Sequence, residues 1–109
     1  MATDDAVVQR ISQLLRPFHG FEQKTMFGGV GFLLFGNMCV GVWKEFLILR
    51  VGPKTANELL KKPNMRPFDI TGRPMKGWVM ADQEAYESDE QLDRLIHVAI
   101  AFVQTLPPK

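Results

Sequence analysis

The stretch that decides the fold is Met26–Val51, MFGGVGFLLFGNMCVGVWKEFLILRV. Short apolar runs alternate in it with pairs of turn-forming residues, which is typical of consecutive β-strands joined by tight turns. Gly36-Asn37 favours a two-residue turn, because glycine and asparagine tolerate the positive φ angles that such turns need. Lys44-Glu45 is the second short connection. We therefore predict a three-stranded antiparallel meander, entered through Gly28-Gly29.

The two turns predict which residues share a face of the meander. A loop at Gly36-Asn37 pairs Phe32 with Gly41, and side chains then alternate between the two faces along each strand. One face, with Leu33, is expected to hold the helices. The other face is also apolar, so we expect a second copy or another protein to cover it. The residues of this predicted partner face are Phe32, Leu34, Cys39, Trp43, Phe46 and Ile48.

Helical periodicity predicts an α-helix near each end of the chain. Asp4–Arg16 carries one apolar stripe, and Thr3 precedes it as a candidate N-cap. The last helix is predicted to begin at Ser88, which forms a capping box with Gln91, and it bears a long apolar stripe. A shorter helix is predicted to begin with the capping box that opens at Thr55.

Three further strands complete the prediction. Phe21–Phe27 alternates only roughly and is expected at an edge of the sheet. Phe68–Ile70 and Gly77–Ala81 are separated by the turn Thr71–Pro74. The order is one helix, three or four strands, a helix, one or two strands and a helix. Sequential strands pair antiparallel, so we predict an α+β fold of two layers, with the helices on one face of the sheet and residues 1–109 as a single domain.

Composition narrows the class of protein. The 109 residues are 46% hydrophobic and 23% charged, which is ordinary for a globular domain. The net charge of +1 disfavours a domain whose main task is binding the phosphate backbone. A single cysteine suits a reducing compartment, and no apolar run reaches the length of a membrane span. We expect a cytoplasmic protein that does not contact membranes.

The sequence contains no pattern typical of a catalytic or metal site. Gly28-Gly29-x-Gly31 leads into a strand, whereas phosphate-binding glycine loops lead into a helix. Cys39 lies among apolar residues, which do not activate a thiol. His19 and His97 lack the spacing of zinc ligands. We therefore predict a protein that is not an enzyme and needs no cofactor.

Basic residues give an alternative prediction. Some of them lie near Trp78, and a cation beside an aromatic ring is typical of sites that bind anions or nucleobases. The candidates for anion or nucleic-acid contacts are Lys24, Arg50, Arg66, Arg73 and Lys76. A small-ligand pocket between helices and sheet is a further alternative.

Three segments together resemble the TfoX/Sxy family, specifically its N-terminal domain. They are KTMFGGVGF at 24–32, GNMCVGVW with LILRV at 36–51, and FDITGRPMKGWV at 68–79; the closing segment from Phe102 to Lys109 fits as well. The resemblance implies a bacterial regulator of natural competence and transcription that acts through contacts with other proteins. It also implies a fold similar to secretion chaperones, which commonly form homodimers. Named members carry a second, helical domain; we expect this chain to be a single-domain member without it.

Overall fold

The structure, a computed structural model, describes residues 5–26, 29–68 and 76–107. Within them the chain forms three α-helices, six β-strands and one short 3-10 helix. The helices are α1 (Asp5–Leu15), α2 (Pro53–Leu59) and α3 (Asp89–Val103), and the 3-10 helix is Gln83–Tyr86. The strands are β1 (Phe21–Met26), β2 (Gly29–Leu34), β3 (Asn37–Trp43), β4 (Phe46–Arg50), β5 (Met65–Pro67) and β6 (Trp78–Ala81). The predicted α+β class is confirmed.

The six described strands form one sheet in the order β1-β2-β3-β4-β6-β5, and every neighbouring pair is antiparallel. β1 lies at an edge, as predicted. The three helices bury their apolar stripes in one core with one face of the sheet, in which Ile11, Val40, Leu49 and Ile96 are fully buried. Burial of this apolar area supplies most of the driving force for folding.

The two longer helices agree with the prediction. Ser88 accepts a hydrogen bond from the Gln91 N–H, and the Gln91 side chain accepts one from the Ser88 N–H, so the capping box of α3 is present. The predicted N-cap of α1, Thr3, lies outside the described residues.

The predicted start of α2 is wrong. The helix begins at Pro53, two residues before Thr55, and its N-cap is Gly52 with φ of 89°. A Cβ atom at Gly52 would lie 2.7 Å from the ring of Phe102, so both the backbone angle and the packing require glycine. Proline fits the first position of a helix, because its missing N–H has no acceptor there.

The predicted register between β2 and β3 is also wrong. The turn residues are Phe35 and Gly36, with φ of 52° and 82°, rather than Gly36-Asn37. This turn alone would pair Phe32 with Cys39. An irregularity after Phe32 leaves Cys39 as an extra residue in β3, so Phe32 pairs with Val40. The register between β3 and β4, in which Trp43 pairs with Phe46, agrees with the prediction.

This shift changes the faces, because a slip of one residue moves each side chain to the opposite side of a strand. Phe32, Leu34 and Cys39, which were predicted on the partner face, lie instead in the core with the helices. Leu33 was predicted in the core but pairs with Met38 on the other side. The other three residues of the predicted partner face lie opposite the helices: Trp43, Phe46 and Ile48.

The segment before β6 differs from the prediction. The strand between α2 and β6 is Met65–Pro67, which pairs with β6 on the side away from β4, and Phe68 follows it outside the strand. The predicted strand residues Asp69 and Ile70 and the predicted turn at Thr71–Pro74 lie outside the described residues. The final strand agrees with the prediction to within one residue.

Candidate functional site

The sheet surface opposite the core is the candidate site, and we call it the helix-free face, since none of the described helices packs on it. Strand pairing places one row of residues across it from edge to edge. The row is Lys24, Gly31, Gly41, Ile48, Met80 and Arg66. The row ends in a cationic residue on each side, Lys24 and Arg66, and the four residues between them are glycine or apolar.

One group of rings and cations lies beside the β3–β4 turn. The rings of Trp43 and Phe46 stack with centroids 6.2 Å apart. The Lys44 ammonium lies 4.6 Å from the Trp43 ring, and the Arg66 guanidinium lies 5.0 Å from the Phe46 ring. Both distances are within the range of a cation–π attraction. All these rings are partly exposed.

A second group lies on β4 and β6 towards the other end of the face. Arg50 pairs across the strands with Trp78, and its guanidinium lies 5.4 Å from the Trp78 ring. The ring of Phe68 lies 5.5 Å from that of Trp78 and is tilted by 39°. Phe68 and Lys44 also belong to this surface, although the sequence did not predict them there. Alternation predicts the face only for residues within a strand, whereas Lys44 lies in a turn and Phe68 lies beyond the end of β5.

The apolar centre of the helix-free face is closed to solvent. Leu33, Ile48 and Met80 are buried although none belongs to the core under the helices. At Gly41 the space for a side chain is occupied by Met38, whose methyl group lies 2.8 Å from the position of a Cβ atom. The face therefore offers a partner its rings and cations rather than a broad apolar patch.

The predicted anion contacts are not all in one place. Arg50 and Arg66 lie on neighbouring parts of the face, on the two strands that flank β6. Lys24 lies on β1 at the opposite edge, roughly 24 Å from Arg66 at ordinary strand spacing. Lys76 is exposed in the turn before β6, and Arg73 lies outside the described residues.

Two of these cations form ion pairs with acidic neighbours. Arg66 lies 3.3 Å from a carboxylate oxygen of Asp82, and Lys24 lies 3.8 Å from one of Glu22. Exposed pairs of this kind contribute little to stability, because solvent screens them. Arg50, by contrast, is held against a ring rather than a carboxylate in the contacts described.

Cys39 and the two histidines lie in different elements of the fold, and the thiol is not activated. Burial raises the pKa of the Cys39 thiol from 9.0 to about 12, against the smaller opposing effect of Arg50. His97 lies beside Asp93 one helical turn away on the surface of α3, and His19 is exposed in a loop. Among the described residues, no group of three His, Cys, Asp or Glu side chains is arranged to hold a metal ion.

Gly29 and Gly77, which lie in the segments KTMFGGVGF and FDITGRPMKGWV, have structural roles. A Cβ atom on Gly29 would overlap the carbonyl oxygen of Val42 and approach the Trp43 Cα to 3.2 Å. Gly77 has φ of 84°, and its carbonyl accepts hydrogen bonds from the N–H groups of Val51 and Gly52 at 2.8 and 3.0 Å. The close approach to β3 accounts for glycine at position 29, and the positive φ accounts for it at position 77, without a phosphate ligand.

A groove of about 460 Å³ lies between α1 and α3. Arg10 of α1 and Asp89 of α3 form an ion pair of 2.5 Å in it. The groove lies on the helical layer and does not adjoin the rings of the helix-free face.

The glycine contacts fall in the segments that resemble the N-terminal domain of competence regulators, and the family comparison agrees. The sequence model of the TfoX N-terminal domain matches residues 13–103, which is most of the 109-residue chain. The chain belongs to the TfoX N-terminal domain family. A comparison with curated proteins gave no match.

The TfoX N-terminal domain match includes all six described strands and all of α2 and α3. It therefore covers the whole helix-free face. Across the described residues we find no helix with the length and apolarity to span a membrane.

Proposed function

We propose that this TfoX-like domain is a non-enzymatic regulatory domain that acts as a homodimer and binds an acidic protein partner through the helix-free face. The observation that carries the proposal is that three of the partly exposed rings on that face, Trp43, Phe46 and Trp78, each have a cation against them. Membership in the TfoX N-terminal domain family supports a regulatory role. The protonated, buried thiol of Cys39 supports a role without covalent catalysis.

Charge is the reason to choose an acidic partner for this face. The cations Lys24, Lys44, Arg50 and Arg66 outnumber the acids Glu22 and Asp82 that contact them. Two copies meeting face to face would set these cations near each other, which disfavours self-association through this surface. An acidic segment would instead gain attraction from them, while its apolar side chains pack on the rings.

Affinity capture from a nuclease-treated lysate of the source organism tests this proposal. The baits are the wild-type chain, Arg50→Glu and Lys61→Glu, and captured proteins are quantified by mass spectrometry. Lys61 is exposed just after α2, so its reversal makes the same change in net charge away from the face.

We expect one or a few acidic proteins to be captured by wild type and Lys61→Glu and lost with Arg50→Glu. Capture should weaken at higher salt, since the contacts are electrostatic. Identical sets of proteins on all three baits would mean that the helix-free face is not the binding surface.

A second candidate function is the binding of single-stranded nucleic acid on the same face. Four aromatic rings and two arginines on one sheet surface favour it, because bases stack on such rings and phosphates pair with the cations: Trp43, Phe46, Phe68, Trp78, Arg50 and Arg66. The net charge of +1 disfavours it.

Intrinsic fluorescence separates the two candidates, since both tryptophans of the sequence lie on this face. Titration with an oligothymidylate should quench Trp43 and Trp78 if bases stack there. The affinity should then fall steeply between about 50 and 200 mM salt. An unchanged emission spectrum at all oligonucleotide concentrations would eliminate this candidate.

A further inference from the structure

The outer edge of β1 is the longer of the two edges of the described sheet. β1 has six residues, whereas β5 has three and ends in proline, which has no N–H to donate. The β1 side chains of Glu22, Gln23, Lys24 and Thr25 are exposed. An edge of this length is able to pair with another strand through its main chain.

One hydrogen bond, just before β1 begins and just after β2 ends, shows which backbone groups of β1 point away from β2. The Phe35 N–H donates to the Gly20 carbonyl at 2.9 Å, in line with the β1–β2 register. Residues alternate along an antiparallel ladder between those that bond to the neighbour and those that point away. The N–H and C=O groups of Phe21, Gln23 and Thr25 therefore point away from β2.

A second copy of the chain is able to satisfy these groups by two-fold symmetric antiparallel pairing. With the axis at Gln23, that residue exchanges two hydrogen bonds with Gln23 of the second copy. Phe21 exchanges two hydrogen bonds with Thr25 of the second copy. By symmetry, Thr25 exchanges two more with Phe21 of the second copy. All outward groups of the three residues are then bonded.

The charges on β1 favour this register over the neighbouring ones. It sets Glu22 directly opposite Lys24 of the second copy, and Lys24 opposite Glu22, on the side of the helix-free face. Opposite charges in directly paired positions stabilise a sheet, and like charges destabilise it. Moving the axis by one residue towards either end sets Glu22 against Glu22 or Lys24 against Lys24.

We propose that the homodimer forms by pairing of β1 with β1 of a second copy, in the register centred on Gln23. The inference rests on the homodimeric state proposed above and adds its surface and register. A charge on an edge strand normally opposes pairing with other strands. Here Glu22 and Lys24 neutralise each other across the junction, so the edge accepts a copy of itself in preference to an unrelated strand.

This pairing makes one continuous twelve-stranded sheet from the two six-stranded sheets. Residues that face each other across an antiparallel pair lie on the same side of a sheet. The helix-free faces of the two copies would thus lie side by side, and both would remain open to a partner.

Charge reversal tests the register. The variants are Glu22→Lys, Lys24→Glu and the double exchange Glu22→Lys/Lys24→Glu, with Lys61→Glu as the control for net charge. Their masses in solution are measured by sedimentation equilibrium at micromolar concentrations and low salt. Both target side chains are about half exposed, so the substitutions leave the fold intact.

We expect wild type, the double exchange and Lys61→Glu to have twice the 12.4 kDa mass of the chain. Each single reversal should raise the dimer dissociation constant about tenfold or more, because two attractive pairs become repulsive. Mixing the two single variants should restore dimers, since each then supplies the charge that the other lacks.

Gln23→Pro tests the backbone pairing independently of charge. It removes an outward N–H without touching a hydrogen bond to β2, so we expect a folded monomer with the circular dichroism spectrum of wild type.

The outcomes separate the inference from the proposed function. If wild type is monomeric throughout, both the homodimer and its β1 interface are refuted. If wild type is dimeric and neither the single reversals nor Gln23→Pro weakens it, the β1 interface is refuted and the homodimer stands. Loss of dimers in the single variants with recovery in their mixture supports the β1 register.

Discussion

The side-chain amide of Asn37 donates a 2.8 Å hydrogen bond to the backbone carbonyl of Pro107. Asn37 is the first residue of β3 and is buried, whereas Pro107 follows the last helix. The bond therefore joins the start of β3 to the segment that follows α3, across the layers of the fold. Asparagine is common in turns, which is why the sequence predicted Asn37 in the turn. Asn37 lies in β3 instead, where the bond to Pro107 gives its side chain a partner.

Loss of this bond should lower the stability of the domain. We expect Asn37→Ala to reduce the free energy of unfolding by about 1–2 kcal/mol, as measured by urea denaturation. Asn37→Asp should cost more, because a carboxylate would then face the Pro107 carbonyl. Asn57→Ala at an exposed position of α2 is the matched control and should change stability by less than about 0.5 kcal/mol. Equal stability of all four proteins would contradict the assigned role of Asn37.

Two strand glycines should differ sharply in their tolerance of alanine. Gly29→Ala sets a methyl group into the backbone of β3, which has no room to move without breaking the β2–β3 ladder. We expect it to cost about 3 kcal/mol or to prevent folding. Gly41→Ala displaces only the end of the flexible Met38 side chain and should cost about 1 kcal/mol or less. Urea denaturation of the two variants measures the difference, and a smaller loss at Gly29 than at Gly41 would refute the packing argument.

The β3–β4 hairpin and α3 were predictable because local signals agreed with tertiary packing. A two-residue connection at Lys44-Glu45 set the β3–β4 register, and the Ser88 capping box preceded a long apolar stripe. Where sequence and packing give the same answer, pattern reasoning succeeds.

The β2–β3 register was not predictable, because Phe35 adopts φ of 52°, which is unusual for a bulky residue. Tertiary contacts hold it there: its N–H bonds to the Gly20 carbonyl, and its ring lies where a side chain at Gly20 would be. The extra residue at Cys39 has no local signal either. The extra residue swaps the faces of β2 relative to the rest of β3, and it therefore places half of the predicted partner face in the core: Phe32, Leu34 and Cys39.

The capping box of α3 should contribute measurably, and its two halves should depend on each other. We expect Ser88→Ala to lower the free energy of unfolding by about 1 kcal/mol, because the Gln91 N–H loses its acceptor. Gln91→Ala should cost less, and the double variant less than the sum, because the two bonds support one another. Arg94→Ala removes an exposed contact to Glu90 in the same helix and should be nearly neutral. A double-mutant cycle in urea measures the coupling, and strict additivity would show that the two bonds act separately.

The buried thiol of Cys39 should make stability fall at alkaline pH. Its pKa is about 12 in the folded chain and near 9.0 when burial is lost, so between these values the unfolded chain binds fewer protons. The free energy of unfolding therefore decreases as pH rises through this window, by about 1 kcal/mol between pH 8 and 10. Cys39→Ala is less stable at every pH because it leaves a cavity, but it lacks this contribution, so the gap between the two proteins should narrow as pH rises. Urea titrations of both proteins at several pH values measure the gap, and a constant gap would mean that the thiol ionises as readily in the folded chain as in the unfolded one.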